Sequence, residues 1–243
     1  MFEWYYSFIL ILVLQSTISF VYSAYLHREI THRSVKFRPG WIKFIRTYIW
    51  FVGFWWPNMW KTWATAHRKH HLFPDTEQDG SSPHVHSIYK ILFDGGRPGE
   101  IYHVSAQDVE KYARDVPQYN DTLERFFTNY QKWGVYALHA IFFMLFGLGG
   151  LIVFAVCYQL MLINPRIHNI MSHGWGYRLR PAIGTDRSRN NWPLFFFWWG
   201  EEFNANHHDR VGSAKFSERW WEFDSTYAVL KILEYFDQVE LTE

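Results

Sequence analysis

"WYYSFILILVLQSTISFVYSAYL", Trp4 to Leu26, is a run without a single charged side chain. As a helix rising about 1.5 Å per residue it reaches about 34 Å, enough to cross a hydrocarbon core of about 30 Å. No basic segment precedes it and no small-residue cleavage site follows it, so it reads as a membrane anchor and not as a signal peptide. Aromatic residues make up 21% of the 243-residue chain and include 14 Trp, more than a soluble core needs. Trp and Tyr in such numbers suit the two edges of a bilayer. The net charge of +1 offers no broad field to nucleic acid, and the single Cys157 excludes an intramolecular disulfide or a multi-cysteine metal site.

Working outward, a second apolar block, "VYALHAIFFMLFGLGGLIVFAVCYQLMLI", runs from Val135 to Ile163. Its glycines at Gly147, Gly149 and Gly150 offer a bend, which predicts two short antiparallel helices. Between the two blocks lies "WIKFIRTYIWFVGFWWPNMW", Trp41 to Trp60, an aromatic run interrupted by Lys43 and Arg46. The stretch from Asp75 to about Gln131 is polar and holds the turn-rich "DGGRPGE". With no repeat, low-complexity tract or flexible linker, residues 1–243 read as one domain.

Leu26 is followed at once by histidine. Of 13 histidines, eight fall into four short groups: "HREITH" with His27 and His32, "HRKHH" with His67, His70 and His71, "NIMSH" with His173, and "NHH" with His207 and His208. On α-helices, at about 100° per residue, His67, His70 and His71 share a face, and Asn169 stands one turn before His173. Adjacent pairs such as His70–His71 and His207–His208 diverge by about 100° and suit two neighbouring ions rather than one. By the same arithmetic His27 and His32 are about 140° apart, again better matched to two ions. Eight ligands exceed the four that one zinc takes, no HExxH is present, and imidazole suits iron, zinc, copper or nickel. Each group alone could be a basic interfacial or solvated segment; their conjunction beside apolar segments predicts a dinuclear metal centre.

A shared centre places all four groups on one side of the membrane. The 34 residues between His32 and His67 are too few for two full spans, so Trp41–Trp60 is expected to lie in the interface or to dip in and return. The bent block supplies two crossings between His71 and His173. Arg28, Arg33, Lys36, Arg38, Lys61, Arg68 and Lys69 flank the histidines, which assigns this face to the cytoplasm with the N-terminus outside. The expected fold is an all-α integral membrane protein of about three to four transmembrane helices, with interfacial helices and a cytosolic helical cap carrying the histidines.

The four groups resemble the histidine boxes of the membrane-bound fatty acid desaturases and hydroxylases, most closely those of short bacterial acyl-lipid and acyl-CoA desaturases. "YLHREITHR" resembles box one, "AHRKHH" box two, "NIMSHGWGYR" the extra histidine site and "GEEFNANHH" box three. "SAKFSERWWEFD", Ser213 to Asp224, resembles the segment that follows box three. The resemblance implies two iron ions and dioxygen as co-substrate, reduced to water while a fatty acyl chain on coenzyme A, a carrier protein or a lipid is desaturated. It implies His27, His32, His67, His70, His71, His173, His207 and His208 as ligands, with Asn169 holding a metal-bound water. Box three departs from HxxHH, since Asn204 stands where its first histidine would be. Asn204 keeps the helical register, and its amide oxygen suits a weak ligand or a water-positioning role. A functional centre with altered ligation, an acyl hydroxylase and a non-catalytic metal-binding membrane protein all remain open on that substitution.

Further expectations follow. His168 registers poorly with His173 and reads as incidental, while His84, His86, His103 and His139 read as surface or packing residues. Asp75, Glu77 and Asp79 are candidates to hold ligand imidazoles, and Glu201 and Glu202 to orient box three. The aromatic segments Phe51–Trp60 and Trp192–Trp199 are candidate walls of an acyl tunnel. Electrons are expected from a separate carrier such as a ferredoxin with its reductase, docking near Lys61, Arg68 and Lys69. The lipid bilayer is a partner and nucleic acid is not; the resemblance suggests a bacterial inner membrane, with the site on its cytoplasmic side.

Overall fold

The computed structural model describes residues 4–93, 103–192 and 198–242. Helix α1 (Trp4–Val21) passes without a break into a π-helical segment (Tyr22–Thr31), followed by a short strand β1 (Val35–Phe37). Helices α2 (Pro39–Phe51), α3 (Met59–Leu72), α4 (Ile88–Phe93), α5 (Ala106–Tyr112), α6 (Thr122–Asn129) and α7 (Trp133–Gly174) come next. Helices α8 (Asn204–Asp209) and α9 (Ser225–Tyr235) and strand β2 (Val239–Leu241) complete the described elements. The two strands depart from an all-α expectation. They pair antiparallel, Val35 with Leu241 and Phe37 with Val239, and so fasten the C-terminal segment beside the first histidine group.

Two helices among the described residues are long and apolar enough to cross a membrane, Phe8–Thr31 with mean hydropathy 1.8 and Trp133–Gly174 with 2.6. The second is not one rod. Gly147 adopts φ 61° and ψ −150°, a conformation open to glycine alone. Beyond it the Phe142 and Phe154 rings meet at 5.6 Å, although 12 residues of straight helix would separate them by about 18 Å. The block is therefore a helical hairpin, and the expectation of three to four crossings meets two apolar helices, one of them folded back. Helix α1 packs chiefly against this hairpin.

Helix α2 has 13 residues and is about 20 Å long, too short to cross the hydrocarbon core. Of the two cations read as interfacial, Lys43 is exposed but Arg46 is not. Arg46 is 1% exposed and forms a bidentate pair with Asp121 at 2.7 and 2.9 Å and a further bond to Glu124 at 2.7 Å. It reaches across to the N-terminus of α6 instead of snorkelling to a membrane edge. Much of the aromatic run is also protein core. Trp50 donates to the Tyr130 carbonyl at 3.0 Å, and the indole groups of Trp55 and Trp60 point at Glu124. Burying Ala24, Tyr25, Leu26, Ile45, Ile49 and Trp60 together locks the π-helical segment against α2 and α3, which carries two histidine groups to one point.

Candidate metal centre

The π-helical segment is the local feature that arranges the first histidine group. Its backbone hydrogen bonds close over five residues, as in the His32 amide to the His27 carbonyl at 3.1 Å, and the Thr31 hydroxyl adds a side-chain bond to the Leu26 carbonyl at 2.7 Å. Residues five apart then share a face. His27 and His32 accordingly lie in one group, which corrects the 140° separation expected from α-helical arithmetic and its assignment of these residues to two ions. Their rings stand 4.9 Å apart, and both are in ring contact with His67 and His207.

The eight histidines fall into two sets. Donor atoms of His27, His32, His67, His71 and His207 all lie within 4.8 Å of one another, and so do those of His70, His173 and His208. Two nitrogens on opposite sides of one ion, each about 2.1 Å from it, stand about 4.2 Å apart, so both sets have nearly the dimensions of a coordination sphere. The adjacent pairs divide between the sets: His71 and His207 in the larger, His70 and His208 in the smaller. The two sets meet where His71 and His208 approach to 4.2 Å between ring centroids.

Carboxylates settle which nitrogens face inward. His70 Nδ1 donates to Asp79 at 2.8 Å and His173 Nδ1 to Asp75 at 2.9 Å, while His208 Nδ1 lies 3.4 Å from Asp186. His27 Nδ1 abuts Glu201 as an ion-pair contact rather than an aligned hydrogen bond. A proton held on Nδ1 leaves Nε2 as a lone pair. Yet His70 Nε2 and His208 Nε2 face each other at 3.2 Å. Close Nε2 pairs recur for His27 and His207 at 3.0 Å, His67 and His71 at 2.9 Å, and His71 and His207 at 3.1 Å. Facing lone pairs require a positive charge between them, a proton or a metal ion, and six further imidazoles within reach favour the metal. His32 Nε2, buried and without a hydrogen-bond partner among the described residues, points the same way.

Electrostatics prepare the rings for that role. Burial, reinforced by neighbouring imidazoles, holds His32, His67, His71 and His207 neutral, well below the usual histidine range. Burial also pushes His208 down to about 3 against the pull of Asp186. At His70 burial is outweighed by Asp79, which raises it. Burial opposes charge on Asp79 and Asp186 too, but their histidine and serine partners keep both carboxylates ionised below their usual range.

Arg28 anchors the assembly from behind. It is fully buried, donates to Glu201 at 3.0 Å and to Asp224 at 2.9 and 3.1 Å, and lies 3.6 Å from the centre of the Phe216 ring. One guanidinium thus ties the first histidine group to box three and to the segment after it. Gly200 makes room for this: its φ is +91°, and a Cβ there would come within 2.2 Å of Asp224 Oδ1.

Other candidates are placed as follows. Asn204 Nδ2 is 3.2 Å from His173 Nε2, beside the three-histidine set. Asn169 Nδ2 donates to the Ser81 carbonyl. His168 donates from Nε2 to the Glu201 carbonyl at 2.8 Å and packs on Trp198, belonging to neither set. His84 holds the His173 carbonyl at 2.8 Å and His139 packs on Phe154. Glu77 is exposed, unlike Asp75 and Asp79 beside it. Arg68 and Lys69, two of the three cations around which an electron carrier is expected to dock, pair with Asp115 and Asp108. Phe54 and Trp198 line a cavity that ends against Glu201; residues 193–197 lie outside the described residues. Asp186 was not singled out from the sequence, because its loop shows no spacing relation to any box.

Fold and site together define a helical, membrane-type chain with a cluster of eight buried or half-buried imidazoles, four of them beside carboxylates. The chain belongs to the fatty acid desaturase family, whose family model matches residues 3–233. It is 30% identical over 218 residues to an acyl-CoA C20 Delta5-desaturase of Anemone leveillei, covering 86% of this chain and 64% of that protein. It is 29% identical over 212 residues to Delta-9 acyl-lipid desaturase 2 of Arabidopsis thaliana, covering 86% and 65%. It is also 29% identical over 213 residues to the sn-1 stearoyl-lipid 9-desaturase of Anabaena variabilis, covering 86% and 73%. The chain therefore spans slightly less than two thirds of the length of the plant relatives.

Proposed function

We propose that this chain is a membrane-bound di-iron desaturase that introduces a double bond into a fatty acyl chain, using dioxygen and electrons from a separate carrier protein. The observation that carries the reading is the division of eight buried or half-buried imidazoles into two adjoining sets, four of them with a carboxylate beside Nδ1. Family membership and relatives that act on acyl-CoA and acyl-lipid substrates by name support it.

His27, His32, His67, His71 and His207 would hold one iron, and His70, His173 and His208 the other, with Asn204 and Asn169 beside the second. Bound iron supplies the oxidising power that an unactivated C–H bond demands and that no side-chain acid or base has. The protein's part is positional. Asp79 and Asp75 keep protons on Nδ1 of His70 and His173, and Asp186 and Glu201 lie beside Nδ1 of His208 and His27, which turns Nε2 lone pairs inward. Arg28 fixes Glu201, and through it the orientation of His27. The cavity against Glu201 keeps the acyl chain extended and dry. With α1 crossing the bilayer, the centre lies at its cytoplasmic end.

The test is expression in a host lacking desaturases, with mass spectrometry of its lipids and metal analysis of the purified protein. Two irons per chain and a new unsaturated lipid are expected; a metal-free protein, or an unchanged lipid profile with iron bound, overturns it. Asn204 favours a second reading, a metal-binding protein without turnover. Asn204→His separates the two: activity that appears only in the variant establishes the second.

A further inference from the structure

A cavity partly open to solvent runs from Glu201 and His168, next to the candidate metal centre, along one stripe of the π-helical segment and α1. Leu26, Tyr22, Ser19 and Gln15 follow one another down its wall, and 11 residues of helix between Leu26 and Gln15 correspond to about 16 Å. Its middle is apolar, lined by Ile18, Ile49, Val52 and Met161, as a hydrocarbon chain requires. The far end is not. Gln15 lies in the most apolar helix of the N-terminal half, where an uncompensated amide is costly. Its Nε2 donates to Ser19 Oγ at 3.3 Å, which orients the amide. Its Oε1 is buried and has no hydrogen-bond partner among the described residues. Tyr48, also on the cavity wall, already shares its hydroxyl with Thr17 at 2.7 Å. The cavity thus presents a fixed, unused acceptor at the end remote from the histidines.

We propose that the preferred acyl substrate carries a hydroxyl group in its distal half, which donates to Gln15 Oε1. This rests on the desaturase reading for the identity of the chain as acyl, and adds the class of acyl chain that fits. A plain alkyl chain would leave Oε1 desolvated and unpaired, whereas a hydroxyl at the right position satisfies it; discrimination of this kind amounts to about tenfold in affinity. The hydroxyl forms no covalent bond to the protein and takes no part in the oxidation.

The full chain in lipid nanodiscs, loaded with a fluorescent polyene fatty acid, provides the test. The probe is displaced by a saturated fatty acid and by a positional series of its monohydroxy derivatives. One distal isomer is expected to displace the probe at about one tenth the concentration of the parent acid. In Gln15→Leu that preference disappears while the parent acid binds at least as well. Equal displacement across the series by the unaltered protein means that water alone occupies the acceptor and overturns the proposal, as does a preference that survives Gln15→Leu. Because the readout needs neither metal nor turnover, an iron-free protein that keeps the hydroxyl preference overturns the desaturase reading alone.

Discussion

Asp79→Asn isolates the carboxylate bracing of the smaller histidine set. Asp79 is 1% exposed and accepts three bonds besides the one from His70: the Asp75 amide at 3.1 Å, the Ser81 amide at 3.0 Å and the Ser81 hydroxyl at 2.7 Å act alongside His70 Nδ1 at 2.8 Å in filling its two oxygens.

 In all, four donors converge on two carboxylate oxygens. Asparagine has the same shape but only one accepting atom. If its Oδ1 stays on His70, its Nδ2 meets the Ser81 donors; if it flips, His70 loses the acceptor that holds its proton on Nδ1. Either arrangement disturbs the inward lone pair of His70. Loss of such a bracing carboxylate lowers metal affinity by about 10- to 100-fold, or about 1.4–2.8 kcal/mol. The five-histidine set has no contact with Asp79 in the described hydrogen bonds, so its affinity should change little. Metal content of the purified protein, measured during titration with a chelator, should fall in two steps, the step for the smaller set moving to 10- to 100-fold lower chelator concentration. Glu77→Gln, an exposed neighbour on the same turn, serves as the control and should leave both steps in place. If Asp79→Asn keeps both ions with unaltered chelator resistance, carboxylate bracing of His70 does not govern that site.

Gly200→Ala should abolish accumulation of folded protein or lower its melting temperature sharply, because the new Cβ meets Asp224 Oδ1 at 2.2 Å in a backbone region that disfavours alanine; fluorescence-detected size exclusion in detergent reads this directly, and a wild-type profile refutes it. Arg46→Met should cost about 3 kcal/mol by stranding Glu124, with Asp121, nearly half exposed, recovering some solvation; thermal unfolding against wild type measures it, and Lys43→Met at an exposed site on the same helix should cost little. Glu202 should make stability fall with rising pH. Burial, with Asp224 and Glu201 adding to it, pushes this carboxyl up to about 8, so between about 4.5 and 8 the folded state holds a proton that the unfolded state has released. Its stabilising contribution is therefore complete below about 4.5 and lost by about 8, and Glu202→Gln should flatten the melting-temperature profile across that window; an unchanged slope refutes the assignment.

Local signals in the chain determined a good deal. The uncharged run from Trp4 to Leu26 specifies a long apolar helix because nothing in it needs water, and the glycines after Phe146 specify a reversal because Gly147 alone can take the required backbone angles. The partition of His70 from His71 and of His207 from His208 was legible as well, since neighbouring residues on a helix diverge whatever surrounds them. The pairing of His27 with His32 was not. It depends on a π-helical segment held in place by packing against α2 and α3, and periodicity read from an isolated sequence assumes the commoner helix. Asp186 on His208, and Arg28 between Glu201 and Asp224, join residues far apart in the chain. Sequence distance carries no information about such contacts, because burial of charge is stabilised only by partners that the completed fold brings alongside.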